Sequence, residues 1–276
     1  MCRYVIFKRI RVSDFNGVDC AYNRLHIGAV INEETIMRFD LTFLTLFPDA
    51  FPGMLDVSII GRAKEQGIWS CETIDLRAFG EGKHRQVDDT PAGGGAGMVI
   101  RPDIMAQAID SVDLKDRPLI YMSPRGKTLD QQKVRELADG PGMVILCGRF
   151  EGLDQRVIDE YDIEEISIGD FILAGGEVAA QVMSEACIRL LPEVAGNEES
   201  LEQESFETGL LEHPHYTKPR NWKNRPTPEV LLSGDHKKID KWRLDQSLAL
   251  TKARRPDLYA SFKLNAATNA RPKDKS

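Results

Sequence analysis

The chain has 276 residues, 42% of them hydrophobic and 29% charged, with a formal net charge of −7. This is the composition of a soluble globular protein, long enough for one large α/β domain and a small second one. No apolar run approaches the roughly 20 residues that span a bilayer, and no apolar core with a small-residue cleavage site stands at the N-terminus, so neither a membrane segment nor a secretion signal is expected. Five cysteines (Cys2, Cys20, Cys71, Cys147, Cys187) lie far apart. Their spacing argues for reduced thiols in a cytoplasm and against a zinc site or a disulfide framework. The charge is uneven. From Ser205 onward there are 15 Lys+Arg against 8 Asp+Glu, and the remainder carries 21 against 35. A basic C-terminal segment on an acidic body suits contact with a polyanion, and it equally suits a solvated helical face.

Residues 1–36 show little periodicity. The apolar, β-rich run at 39–47 reads as a buried first strand. Pro48 and Asp49 then open a helix predicted to reach about Gln66, where Gly67 ends it. Residues 68–76 form a second strand. The segment 77–97, with Lys83, His84, Arg85 and the run Gly93-Gly94-Gly95-Ala96-Gly97, is too long for a simple connection. It is no Walker A loop, since no Gly-Lys-Ser/Thr follows, and hairpin turns or a ligand-covering loop both fit it. A helix from Pro102 to about Ser111 and a third strand at 118–122 follow. Residues 123–126 read as a turn, with Thr128 capping a helix over 129–138 whose Leu129, Val134 and Leu137 face the core.

The stretch 144–177 holds the densest signal. The apolar run 143–146 and the shorter 165–168 are strand-length. Each ends in a glycine-bearing cluster: Cys147-Gly148-Arg149-Phe150-Glu151-Gly152 after the first, Gly169-Asp170 and Gly175-Gly176-Glu177 after the second. Ligands of open α/β sheets collect beyond the carboxyl ends of strands, although two ordinary βα turns would read alike. The next helix, 177–191, carries Val178, Val182, Ala186 and Leu190 on one side, and its Arg189 stands among leucines, where an arginine often snorkels to solvent. Residues 193–204 are acidic and read as a flexible linker. Helices follow at 231–250 and 256–263, with Trp222 and Trp242 as core or docking residues.

The stretch 144–177 resembles the bacterial tRNA guanine-N1 methyltransferases that modify position 37. So do TFLTLFPDAF (42–51), VDDTPAGGGAGM (87–98), YMSPRG (121–126), SFETGLLEHPHYT (205–217), VLLSG (230–234) and WRLDQSLALTKARRPD (242–257), in family order. The resemblance implies an α/β fold of the SPOUT class, a parallel-sheet domain threaded into a trefoil knot and followed by a small all-α domain. It also implies the divisions 37–192 for the cofactor domain, 193–211 for the linker, 212–264 for a helical tRNA-binding domain and 265–276 for a frayed tail. Residues 1–36 fall outside it, so Met37 is the expected initiator, with a genuine extension as the alternative.

By the same resemblance S-adenosyl-L-methionine lies in three loops. The first supplies Tyr121, Met122 and Ser123, and the second Gly148 and Glu151. The third supplies Ser167, Ile168, Gly169, Asp170, Phe171, Ile172, Leu173, Gly175 and Gly176. The glycine-rich segment 77–97 would cover both cofactor and tRNA. Guanine N1 carries a proton, so methylation needs a base at N1 and a donor at O6, where charge collects. The family's arginine matches Arg189, and its linker aspartate is replaced here by Glu204, one methylene longer, with Glu202 as a less favoured neighbour. Arg149 and Glu151 match the edges of a flipped guanine. Glu212, where the family has aspartate, is a further substrate-side candidate. The family works as a homodimer whose linker and C-terminal domain complete the partner's site. No side-chain cluster indicates a metal, though magnesium can act through RNA phosphates. A SPOUT enzyme with another RNA target and a non-catalytic RNA-binding homologue are the alternatives.

Overall fold

The computed structural model describes residues 39–196 and 204–269. The expectations for residues 1–36, for Met37 as initiator and for Glu202 fall outside them. Seven strands precede the linker: β1 (Phe39–Thr45), β2 (Trp69–Asp75), β3 (Asp88–Asp89), β4 (Val99–Ile100), β5 (Leu119–Thr128), β6 (Gly142–Cys147) and β7 (Glu164–Ser167). Five of them form one sheet in the order β2-β1-β6-β5-β7, every neighbouring pair parallel. Successive side chains of a strand point to opposite faces, and a parallel sheet is buried on both. Phe39, Leu41 and Phe43 accordingly join Met143, Ile145 and Cys147 in one core cluster, while Leu44, Val144 and Leu146 join a second on the opposite face.

Helices α1 (Ser58–Glu65), α3 (Gln131–Ala138) and α5 (Glu177–Ile188) cover the first face. Helices α2 (Pro102–Asp110) and α4 (Gln155–Glu160) cover the second. Trp69 is fully buried beneath α1, and its indole Nε1 donates to the carbonyl of Ile60 at 2.9 Å. Val134 and Leu137 of α3 are buried as the sequence predicts, with Leu129 packed beside them.

Local readings differ at four places. The helix predicted over 48–66 is broken into two short 3-10 turns, Pro48–Ala50 and Gly53–Asp56, before α1 begins. Pro52 lacks an amide hydrogen, and Gly53 and Ser58 sit at φ +55° and +58°, so no continuous α-helix can pass. Residues 123–126 do not end β5; Met122 and Lys127 both pair with Ile166, and the four residues between them bulge from the ladder. Thr128 remains in the strand, and Asp130 caps α3 instead, accepting from the Lys133 amide at 2.8 Å. On α5 the buried face is the small-residue one: Ala179, Ala180, Met183, Ser184, Cys187 and Ile188. Val178 and Val182 are 58% and 46% exposed. The face turned to the sheet mixes small residues with Met183 and Ile188, and it is offset from the one that carries the two valines.

Beyond the linker, residues 204–211 return to α3. Glu207 accepts from Gln131 at 3.0 Å and pairs with Arg135. The amide of Leu211 then donates to Thr251 Oγ1 at 2.8 Å, tying the segment to α6 (His236–Arg254). A hairpin of β8 (Asn221–Trp222) and β9 (Arg225–Pro226) turns through Lys223 and Asn224, both at positive φ as tight hairpin turns require. Trp222 is 58% exposed there and takes no part in a core, whereas Trp242 meets the ring of Tyr216 at 6.1 Å. A final helix α7 (Pro256–Asn269) runs past residue 264, the predicted end of the domain. Among the described residues no helix is long and apolar enough to cross a membrane.

Candidate active site

The bulged part of β5 and the loops after β6 and β7 converge on one cleft of about 250 Å³ at the carboxyl edge of the sheet. Every cofactor residue named from the resemblance lines it except Asp170, whose side chain is exposed outside the lining. Phe150 and Gly152, from the glycine-bearing cluster after β6, line it as well, as do Pro124, Ile166, Ala174 and Ala179, which had no signal in the sequence beyond their neighbours. Two glycines admit the backbone closely. A Cβ on Gly176 would lie 2.9 Å from Cys147 Cα and 3.0 Å from Gly148 N, and the Gly176 amide donates to the Gly148 carbonyl at 2.9 Å. The second and third loops are thus stitched together at a separation that a side chain would prevent. Tyr121 forms the floor, 5% exposed, and a Cβ at Gly148 or Gly152 would meet its ring or hydroxyl at 2.7 or 2.6 Å. Burial pushes the Tyr121 phenol up, so it stays protonated as a neutral wall.

The glycine-rich segment 77–97 supplies no lining residue of the cleft, but with β4 it forms a hairpin that packs on the loop after β6. β3 and β4 pair antiparallel, and the amide of Glu151 donates to the Met98 carbonyl at 2.9 Å. A Cβ on Gly97 would collide with the Glu151 carboxylate, which fixes how closely this loop covers the second one.

Arg149 stands on the cleft wall with its guanidinium turned inward to the protein. Its Nε donates to Glu177 Oε1 at 3.2 Å, its Nη2 lies 2.9 Å from Glu177 Oε2, and its Nη1 donates to the Ala174 carbonyl at 3.2 Å. The guanidinium carbon lies 4.2 Å from the centroid of Phe47. Glu177 is 3% exposed and accepts a further bond from Thr45 Oγ1 at 2.9 Å. The Nε/Nη2 edge that would read a guanine bidentately is therefore taken up by Glu177. Burial, with the Glu177 charge adding to it, also holds the Cys147 thiol well above its ordinary range.

Arg189 and Glu204 are brought together at the other end of α5. Arg189 Nη2 donates to Glu204 Oε1 at 2.6 Å, and both side chains are about one-third exposed. The arginine does not merely snorkel. Neither residue lines the cleft. Arg189 stands twelve positions after Glu177, which follows the cleft-lining Gly176, and at about 1.5 Å per residue that places them roughly 18 Å apart along the axis. Glu212 sits beside the pair, its amide donating to Ser205 Oγ at 3.0 Å and its carboxylate 2.8 Å from His215 Nε2. Among the described residues no group of three or more His, Cys, Asp or Glu side chains is placed to hold a metal.

Residues 37–261 match the family model described as tRNA (Guanine-1)-methyltransferase TrmD. The chain is 58% identical over 225 residues to the tRNA (guanine-N(1)-)-methyltransferase of Brucella ovis, an alignment covering 82% of this chain and 93% of that protein. The proteins of the same name from Brucella melitensis biotype 1 and Brucella suis match at the same identity, over 93% and 92% of their lengths.

Proposed function

The chain belongs to the tRNA (guanine-1)-methyltransferase family, a SPOUT-class family of methyltransferases, and from that premise we propose that it methylates N1 of guanine 37 in tRNA, using S-adenosyl-L-methionine. The observation that carries the reading is the pair Arg189–Glu204, a donor 2.6 Å from an acceptor. The reacting edge of guanine offers the complement: O6 accepts and the adjacent N1–H donates. With the pair parted around that edge, Arg189 donates to O6, and Glu204 takes the N1 proton as its bond to nitrogen breaks. The charge left on the base collects at O6 beside the guanidinium, where a fixed cation is worth most. Adenine reverses the edge, presenting an amine donor to Arg189 and a bare N1 to Glu204, and is rejected by the same two groups.

The cleft suits the cofactor. Its glycines admit backbone groups to contact distance, Met122, Ile166 and Leu173 give an apolar lining, and neutral Tyr121 floors it. When bound, S-adenosyl-L-methionine supplies the electrophilic methyl group. Glu151 and Glu212 are substrate-side groups in this reading. One chain does not complete the site, because α5 separates cleft from pair. A homodimer does, with the pair of one subunit facing the cleft of its partner. Exposed Val178 and Val182 support that arrangement, as does exposed Met54 in the second 3-10 turn; Gln181 of α5 reaches the Ala50 carbonyl of the first 3-10 turn at 2.8 Å. The hairpin residues Arg220, Lys223 and Arg225 are exposed together with Trp222, as contact with the RNA backbone requires.

The test is methyl transfer to a tRNA transcript with guanine at 37 and to one with adenine there. Transfer to the first alone supports the reaction; transfer to neither, with cofactor bound, refutes it. Mixing equal amounts of Glu204→Gln subunits and subunits carrying Gly176→Val in the cleft tests the trans arrangement. Random pairing leaves about a quarter of the wild-type sites complete if cleft and pair come from different subunits, and none if they come from one.

A further inference from the structure

We propose that Arg149 and Glu177 form a strut that sets the shape of the cofactor cleft, Glu177 acting as a positioning residue through Arg149. The inference rests on the reading of that cleft as the cofactor site, and it replaces the guanine-reading role expected for Arg149. Three of the guanidinium's directions are committed inside the protein: Nε and Nη2 to Glu177 and Nη1 to the Ala174 carbonyl. The flat face of the group lies over Phe47. Glu177 in turn is held by Thr45 Oγ1, the same oxygen that accepts from the Phe47 amide at 2.9 Å. The end of β1, the loop after β6, the loop after β7 and the first turn of α5 therefore meet at one ion pair.

Such a pair is unsuited to reading a substrate. Turning Arg149 outward would strand a carboxylate that is 3% exposed, and an uncompensated buried charge is among the most destabilising states available to a protein. As a strut it has an evident action. The Ala174 carbonyl belongs to the loop whose neighbours Leu173, Gly175 and Gly176 line the cleft, so Arg149 holds that loop against α5. Gly175 fits this role too. A Cβ there would collide with Arg149 Nε and Cδ, and Gly175 is not among the residues at positive φ, so its lack of a side chain serves the arginine's path rather than a backbone twist.

Three substitutions break the strut by different means: Glu177→Gln removes the charge with little change of shape, Arg149→Gln removes the cation, and Gly175→Ala obstructs its path. The readout is equilibrium binding of S-adenosyl-L-methionine, with tRNA affinity and thermal midpoint measured on the same proteins. Each variant is expected to raise the cofactor Kd about tenfold while tRNA Kd stays within about twofold, as loss of preorganisation at one ligand's site requires. The variants should also be non-additive: Glu177→Gln or Gly175→Ala added to Arg149→Gln should raise the cofactor Kd no further, because groups acting as one unit are lost once. Unchanged cofactor affinity with weakened tRNA binding would return Arg149 to guanine recognition and overturn the proposal. Arg149→Gln leaves the Glu177 carboxylate unpaired and lowers the midpoint by itself, so the midpoint is compared for the other two variants: additive losses, or cofactor losses in Glu177→Gln and Gly175→Ala that only follow the midpoint, would overturn it as well, by showing general destabilisation. Glu177→Gln failing to fold leaves the Arg149→Gln and Gly175→Ala pair, whose non-additivity decides alone. If wild type itself binds no cofactor, the functional reading fails rather than the strut.

Discussion

Replacing Arg189 with alanine separates chemistry from stability. The Arg189–Glu204 pair is short, 2.6 Å, but each side chain is about one-third exposed, so solvent screens it and its worth to folding resembles that of a surface ion pair. That worth is about 0.2–1 kcal/mol, which for a chain of this size moves the thermal midpoint by roughly 1–4 °C. Turnover is a different matter, because in the proposed reaction the guanidinium faces the oxygen where charge develops. Removing one such donor lowers the rate by about 10²–10³, equivalent to about 3–4 kcal/mol in the transition state. The two magnitudes differ enough for one experiment to tell them apart. Single-turnover transfer of labelled methyl to guanine-37 tRNA, run at saturating enzyme and cofactor, should slow about a hundredfold or more in Arg189→Ala. Cofactor Kd should stay within about twofold, since Arg189 is not among the residues that line the cleft and its assigned contact is to O6 of the base. A rate within tenfold of wild type would refute the assignment. So would a rate loss matched by a midpoint lowered by 8 °C or more, which would make the pair a structural clamp.

Glu204→Gln keeps the shape and removes the base, and should slow single turnover by about 10²–10⁴ with cofactor affinity retained; unimpaired transfer would move the base elsewhere, Glu212 first. Alanine at Arg220, Lys223 and Arg225 together should weaken tRNA binding and lower the slope of log affinity against log salt by roughly one for each phosphate no longer neutralised; an unchanged slope in a salt titration would remove the hairpin from the interface. Asp130→Ala should cost about 1 kcal/mol of stability by removing the α3 cap, read by denaturant midpoint, with methyl transfer unaffected at low denaturant. Thiol labelling should reach Cys71 well before Cys147 or Cys187. Burial pushes the Cys187 thiol up to about 12 and the Cys147 thiol well above its ordinary range, leaving both as unreactive thiols below those values. Peptide mapping of native protein labelled briefly at pH 8 checks the order.

Strands and the glycine turns were legible because their signals are local. The run 143–146 is apolar at every position, as a strand buried on both faces demands, and it forms the core of β6. The glycines at 148, 152, 169, 175 and 176 pointed to one edge of the sheet, and all line one cleft. What the sequence hid was which partner each residue meets. Val178 and Val182 look like the core face of α5 by spacing, yet the face turned to the sheet is the offset one with Ala179, Ala180, Met183 and Ile188. Glu177 reads as an ordinary first-turn carboxylate, favoured at a helix N-terminus. Only the fold brings Thr45 to it, 132 positions earlier in the chain. Arg149 beside Glu151 suggested base recognition, since nothing local shows that its guanidinium is already spoken for. The bulge in β5 was invisible for the same reason, because it depends on Met122 and Lys127 sharing Ile166 across the ladder.

Helix α5 is also a ruler. Its first residue, Glu177, pairs with Arg149 beside the cleft and the residue that ends it, Arg189, pairs with Glu204, so in the proposed reaction its length sets the distance between cofactor binding and base chemistry. Most helices tolerate gain or loss of a turn by adjusting the loops at their ends, but here both ends are fixed by their partners. Inserting four residues would keep the alanine face nearly in register, rotating it only about 40°, yet would carry Arg189 about 6 Å farther from Glu177. In the proposed two-fold assembly that displacement would enter every site, because each subunit would lend its pair to the other. The dimension along which such a chain can least tolerate drift is therefore the count of residues between positions 177 and 189, whatever those residues are.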